Sequence, residues 1–238
     1  MAEKVILITG ASGGLGADIS SYLYENTDLK LALHCYKNKI SIAENERVLH
    51  VNADLSDNKQ IESMVNKVLT VFGTIDVLIN NAGVSKSNMS WKTQLRDWNE
   101  TLAINLTAPF LMMKAVIPTM KNNNWGRIIS ITSVVAQTGV IGTAAYAASK
   151  AGLIGLTKSV SKEVAQSGIT VNALALGYFN RGMINDVPED LKDEIVNAIP
   201  VKKLGDANLI CKQLLFLIDD DAAYITGQTI NINGGLFS

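Results

Sequence analysis

The sequence predicts an α/β fold: one doubly wound, parallel, seven-stranded sheet with helices packed on both of its faces. Three observations predict it. Short β-branched runs are apolar on both faces, as parallel strands covered on each side must be. These runs alternate along the whole chain with stretches of helical periodicity, the pattern of a parallel sheet built from strand–helix units. A glycine-rich turn follows the first run, where strand gives way to helix.

Taken in order, strands are expected at 4–9 ("KVILIT"), 30–35 ("KLALHC"), 47–52 ("RVLHVN"), 75–80 ("IDVLIN"), 127–132 ("RIISIT"), 169–174 ("ITVNAL") and 228–233 ("QTININ"). Helical periodicity covers 14–26, 57–72, 93–121, 144–166, 189–198 and 206–218. The crossover 36–46, "YKNKISIAENE", has room for about two or three turns at ~1.5 Å per residue, so its helix is expected to be stunted or absent. No linker, repeat or low-complexity segment interrupts the alternation, which assigns residues 1–238 to one domain.

Composition narrows the function classes. With 47% hydrophobic and 18% charged residues, the chain has the makings of a substantial core. A net charge of −1 argues against a nucleic-acid partner, which usually calls for a basic stripe. No run of eighteen apolar residues is present, and "MAEKVILITG" reads as a strand, not an export signal, so neither membrane nor secretion is expected. Cys35 and Cys211 are the only cysteines, which suits a reducing, cytoplasmic compartment. The glycosylation patterns at Asn88, Asn99 and Asn105 are then chance matches.

Three local signals carry chemistry. Gly10, Gly14 and Gly16 stand at the first strand-to-helix turn in "ITGASGGLGADI". Glycines there let the backbone approach a pyrophosphate, which the following helix meets with free N–H groups and its positive dipole end. Read alone, the loop is equally an ordinary glycine-rich turn. "NNAG", Asn80 to Gly83, ends the fourth strand, where open α/β sheets bind ligands; by itself it is also compatible with a plain turn. Ser133 closes the fifth strand, and Tyr146 and Lys150 stand four apart on one face of the helix that follows. A lone Tyr-x-x-x-Lys is usually a solvated pair, but three polar groups converging beside a dinucleotide loop weaken that reading.

With these motifs the chain resembles the short-chain dehydrogenase/reductase family, in its single-domain branch. The resemblance runs end to end through Thr9-Gly10-x-x-x-Gly14-x-Gly16, Asn80-Asn81-Ala82-Gly83, Asn105 in "AINLTAPF", Ser133 and Tyr146-Ala-Ala-Ser-Lys150. It implies a Rossmann-type fold, NAD(P)-dependent carbonyl reduction or the reverse, and no metal. It implies an Asn105–Ser133–Tyr146–Lys150 tetrad in which Tyr146 is the acid, Ser133 holds the substrate oxygen and Lys150 bonds the nicotinamide ribose. Asn105 would hold a water linking Lys150 to solvent. Cofactor contacts are implied for Gly10, Ser12, Gly13, Gly14, Leu15 and Gly16, for Tyr36 and Lys37, for Asp54 and Leu55, for Asn81, Ala82 and Gly83, for Tyr146 and Lys150, and for Gly177 and Phe179. A homotetramer is also implied, paired through the helices near 93–121 and 144–166.

The tetrad has a physical rationale. Bringing a phenol from pKa ~10 to ~7 takes about 4 kcal/mol of preference for the phenolate. A cation ~4 Å away supplies about that at an effective dielectric near 20, so Lys150 is expected to lower the pKa of Tyr146. Two departures stand after the sixth strand, in "LALGYFNRGM". Leu176 replaces the family's usual proline, which restores a backbone N–H and suggests a looser turn, and Arg181 stands near a usual Thr or Ser. Arg181 either contacts a phosphate or points into solvent, with solvent the simpler expectation.

Cofactor and substrate readings follow. The position where an NAD site places an acid falls on Cys35, and no acid lies between His34 and Ile42. Tyr36, Lys37 and Lys39 stand within reach of a 2′-phosphate, so NADPH is expected over NADH; Asp54 is placed by the adenine, away from that phosphate. "IPVKKLG", "YITGQTININGG" and the segment 178–200 resemble the family's 3-oxoacyl thioester reductases, whose substrates ride on acyl carrier protein or coenzyme A. Tyr178, Phe179, Met183 and Ile184 are apolar enough for an acyl chain, or equally for ordinary packing. "KNNNWG" and "AQSGI" are neutral where a carrier protein would want cations, leaving Lys121, Arg127 and Lys162 to contribute. A small ketone, diketone or sugar is the alternative substrate. A non-catalytic NADP(H) sensor or scaffold is the alternative of another class, and the intact tetrad argues against it.

Overall fold

The computed structural model describes residues 4–182, 184 and 187–238. Its strands are β1 (Val5–Ile8), β2 (Lys30–Cys35), β3 (Val48–Asn52), β4 (Val77–Asn80), β5 (Gly126–Ser133), β6 (Ile169–Leu176) and β7 (Thr229–Ile232). They form one sheet in the order β3-β2-β1-β4-β5-β6-β7, every pairing parallel. The doubly wound α/β fold read from the alternation is therefore the fold of the protein.

Alternation within strands builds two cores. Val5 and Leu7 face one side and Ile6 and Ile8 the other, as a period of two requires. On the first side lie α2 (Asn58–Phe72), α4 (Ala108–Asn122) and α6 (Ala144–Val164), which contribute Met64, Val68, Met112, Val116 and Val160. On the second lie α1 (Gly14–Asn26) and α8 (Ala207–Ile218), with Ile19, Leu23, Ile210 and Leu214. Each such side chain, fully withdrawn from water, contributes about 1.5–3 kcal/mol before chain entropy is counted.

Boundaries follow local chemistry. Asp57 caps α2 by accepting from the N–H groups of Lys59 and Gln60, and Gly73 ends it in the left-handed region at φ 79°. α7 spans Glu189–Ala198. The crossover 36–46 holds no helix; it is pinned instead by Asn52 Nδ2, which donates to the carbonyls of Cys35 (3.1 Å) and Tyr36.

Three expectations need correction. The stretch 93–121 is not one regular helix: α3 (Leu95–Leu102) passes through a π-helical turn, Ala103–Thr107, before α4 begins. The short helix α5 (Val135–Thr138) has too few residues to show a period. Leu176 does not loosen its turn but ends β6 in register with Ser133 and Ile232, buried, its carbonyl accepting from Val134 N–H at 2.8 Å. The residue that gives the chain back an N–H lets the ladder run on.

By length and composition the continuous helix Leu95–Asn122 alone among the described residues would suffice to cross a membrane, but Met112, Met113, Val116 and Met120 of it lie in the core.

Candidate active site

The carboxyl ends of β1, β4, β5 and β6 open into one cavity of about 1620 Å³. It lies beside β1 and β4, where the strand order reverses and an open α/β sheet offers a crevice. Every residue assigned to a cofactor from the sequence lies in its wall.

The first wall is the glycine turn. Thr9 Oγ1 accepts the N–H groups of Asn81 and Ala82, both at 3.0 Å, and Asn81 Nδ2 donates to Thr9 O at 2.9 Å. These bonds bring the ends of β1 and β4 so close that a Cβ on Gly10, at φ +70°, would stand 3.0 Å from Ala82 Cα. On Gly16 a Cβ would collide with the Gly10 carbonyl. α1 begins without a side-chain cap, so its first N–H groups and its dipole face the cavity, fit to receive a phosphate.

His34, which the sequence reading passed over, supports this wall from behind. Its buried ring accepts the Gly10 N–H at Nδ1 (3.2 Å), and Nε2 lies 3.0 Å from Ala53 O. Both contacts are met by a neutral ring with its proton on Nε2. Burial pushes its pKa down, against the opposing pull of the Ala53 bond. The available signal was a polar residue inside an otherwise apolar strand.

The opposite wall holds Ser133, Tyr146 and Lys150, together as expected. Lys150 is 3% exposed; its Nζ donates to Ile131 O at 2.8 Å and lies 5.7 Å from the centre of the Tyr146 ring. Burial alone pushes its pKa down to about 8. Desolvation opposes the expected acidification of the phenol. Burial raises the Tyr146 pKa, and the only group pulling it down is a hydrogen bond with the Ser133 side chain. The cause is desolvation: the phenol is buried, and the neighbouring ammonium is itself buried and bonded to Ile131 O.

Asn105 sits fully buried behind this wall, in the π-helical turn. Its Nδ2 donates to Val84 O (2.9 Å) and Ser149 Oγ (3.1 Å), and Oδ1 accepts Val84 N–H (2.9 Å). The side chain thus fastens the loop after β4 to α6. Both of its N–H donors are spent on protein partners, so a water bound here must use an oxygen lone pair.

At the open end of the cavity, Lys37 Nζ lies 4.8 Å from the centre of the Tyr36 ring. Ser56 holds the Asp54 carboxyl below the usual range, helped by a hydrogen bond from Tyr36 and the charge of Lys37. Asp54 shares the cavity wall with Tyr36 and Lys37, the residues assigned to the 2′-phosphate, and feels both. Cys35 is half-buried with Sγ 3.9 Å from Asn52 Nδ2, and Lys39 is exposed; neither is in the cavity wall.

After β6, the Asn180 N–H donates to Gly205 O (3.1 Å) and the Gly205 N–H to Tyr178 O (2.9 Å). In such a parallel bridge the N–H and C=O of the intervening residue, Phe179, turn to the other side. Gly177 packs so tightly on Asn233 that a Cβ would lie 2.7 Å from its Cα. Arg181 is largely exposed, as expected, and also pairs with Asp18 at 3.2 Å. Met183 lies outside the described residues.

The cations offered to a carrier protein lie away from this chain's own crevice. Arg127 is 1% exposed and bonds to Gly126 O and Gly168 O, with Asp220 beside it. "KNNNWG" and "AQSGI" precede β5 and β6, at the end of the sheet opposite the crevice, and Lys121 and Lys162 close helices running that way. Eight residues of strand separate the two ends, about 26 Å.

The family model described as short chain dehydrogenase matches residues 4–192. Among curated proteins, the chain is 37% identical over 242 residues to the 3-oxoacyl-[acyl-carrier-protein] reductase FabG of Staphylococcus epidermidis, covering 99% of each chain. It is 38% identical over 239 residues to the FabG of Escherichia coli K12, covering 98% of this chain and 97% of that one. Nodulation protein G of Azospirillum brasilense is 36% identical over 244 residues, 99% of each.

Proposed function

The chain belongs to the short-chain dehydrogenase family, an oxidoreductase that works with a nicotinamide cofactor, and on that premise we propose that it reduces the 3-oxo group of an acyl thioester, with NADPH as the preferred donor. The observation that carries the reading is the meeting of Ser133, Tyr146 and Lys150 across one cavity from the glycine turn. The relatives of matching length support the thioester class, and acyl carrier protein or coenzyme A is its carrier.

The residues present fit a dinucleotide. The glycine turn, with no room for a Cβ at Gly16, and the uncapped start of α1 receive the pyrophosphate. Tyr36 and Lys37 take the 2′-phosphate, Asp54 and Leu55 the adenine, and the outward N–H and C=O of Phe179 the carboxamide. Asn81, Ala82 and Gly83 line the ribose side. When bound, the nicotinamide supplies the hydride for the carbonyl carbon. Tyr146 then gives its phenolic proton to the substrate oxygen, and Ser133 Oγ holds that oxygen as charge develops on it. Lys150, titrating near pH 8, is a proton source that reloads Tyr146. Asn105 keeps the loop after β4 in place beside Lys150. Residues 1–238 act as one cofactor-binding and catalytic domain, in a cytoplasmic homotetramer.

The test is NADPH and NADH consumption with acetoacetyl-CoA, a 3-oxoacyl carrier protein, a diketone and a sugar, scored by kcat/KM. Thioesters should lead, and Tyr146→Phe should lose at least about 100-fold in kcat while holding its affinity for NADP+. Turnover confined to the diketone or sugar would overturn the substrate class; an unimpaired Tyr146→Phe would overturn the acid.

A further inference from the structure

We propose that Arg181 is a pyrophosphate ligand of the cofactor site, held in reserve by Asp18 until a dinucleotide arrives. This rests on the nicotinamide reading above. Arg181 Nε lies 3.2 Å from Asp18 Oδ2, and its side chain remains 58% exposed. That buried carboxylate oxygen makes no hydrogen bond of good geometry, so the two charges touch without forming a directed bond. A partly exposed pair of this kind is weakly held.

What the guanidinium can turn to is set by its neighbours. A Cβ on Gly14 would stand 3.3 Å from Gly182 Cα, which places the chain beside Arg181 directly over the start of α1. Arg181 shares the cavity wall with Gly13 and Gly14. The other cationic side chains among the described wall residues stand elsewhere: Lys37 just past the end of β2, and Lys150 buried near Tyr146. Arg181 is thus the cation at the glycine turn. A pyrophosphate offers two negative charges and paired oxygens that fit the guanidinium fork, where Asp18 offers one carboxylate in poor geometry. Binding exchanges one partner for the better one, and Asp18 lowers the apparent affinity by the fraction of time it holds the arginine.

The test is calorimetric titration of NADP+ into wild type, Arg181→Gln, Asp18→Asn and the double variant, each checked by thermal melting. Arg181→Gln should weaken NADP+ binding about tenfold, and Asp18→Asn should tighten it about two- to fivefold. In the double variant the gain from Asp18→Asn should vanish. Adenosine 2′-monophosphate, which lacks the pyrophosphate, should bind all four proteins alike. An equal gain from Asp18→Asn with and without Arg181 would mean simple charge repulsion and overturn the reserve. Unchanged NADP+ affinity in Arg181→Gln, or a loss shared by adenosine 2′-monophosphate, would overturn the pyrophosphate contact. Failure of the wild type to bind either nicotinamide dinucleotide would instead strike the functional reading itself.

Discussion

Lys150 is kept at a cost. Its folded pKa near 8 stands below the 10.5 of an exposed lysine, a difference of about 3 kcal/mol carried by the charged form. Between those values the unfolded chain binds a proton that the folded chain does not, so stability rises as pH climbs from about 8 towards 10.5, and the full penalty is present below 8. Lys150→Met should therefore lose nearly all turnover yet melt higher than wild type at pH 7, with the gain shrinking by pH 10. A melting series across pH reads this directly, and a variant less stable at every pH would refute it. That Ser133, Tyr146 and Lys150 meet was legible in their spacing. Their proton energetics were not, because spacing gives a distance along a helix and says nothing of desolvation. Burial opposes the expected shift of Tyr146 and pushes the Lys150 pKa down to about 8.

At the scale of elements, the site is made by turns that cannot accept side chains. The bonds from Thr9 to Asn81 and Ala82 join two strand ends, and the space left at Gly16 is occupied by the Gly10 carbonyl. Gly16→Ala should force the turn apart and weaken NADP+ binding at least about 100-fold, because N–H groups aimed at a phosphate lose their aim. The sheet, anchored by its two cores, should persist in far-ultraviolet circular dichroism. Calorimetric affinity within threefold of wild type would show that the turn yields cheaply. The glycine spacing was readable, but the π-helical turn around Asn105 was not. Its extra residue leaves the apolar pattern of 93–121 nearly intact, so the period still reads as one helix. His34 escaped for a related reason: in a two-faced apolar strand, one polar residue has no partner visible until β3 is laid beside it.

Across the whole molecule, alternation alone predicted the parallel sheet, and the observed strand order brings the first and fourth strand ends to one crevice. What sequence order does not reveal is which loops share an end of the sheet with that crevice, and so Arg127 passed for a surface cation although it is buried at the far end. The same scale bears on the choice between cofactors. With 21 basic against 22 acidic residues, the molecule offers no overall field to draw in the extra phosphate of NADPH. The proposed preference would then come from Tyr36 and Lys37, and these already have Asp54 nearby. A carboxylate near those groups opposes the 2′-phosphate, so the NADPH preference should be modest. Asp54→Asn should raise the NADPH to NADH ratio of kcat/KM about fivefold, the worth of ~1 kcal/mol between nearby solvated charges. Added salt should shrink the gain, since Tyr36 and Lys37 are exposed and Asp54 is only half-buried. The affinity for NADH, which lacks the phosphate, serves as the control and should stay within twofold. A ratio that is unchanged or falls would place Asp54 outside the reach of the 2′-phosphate.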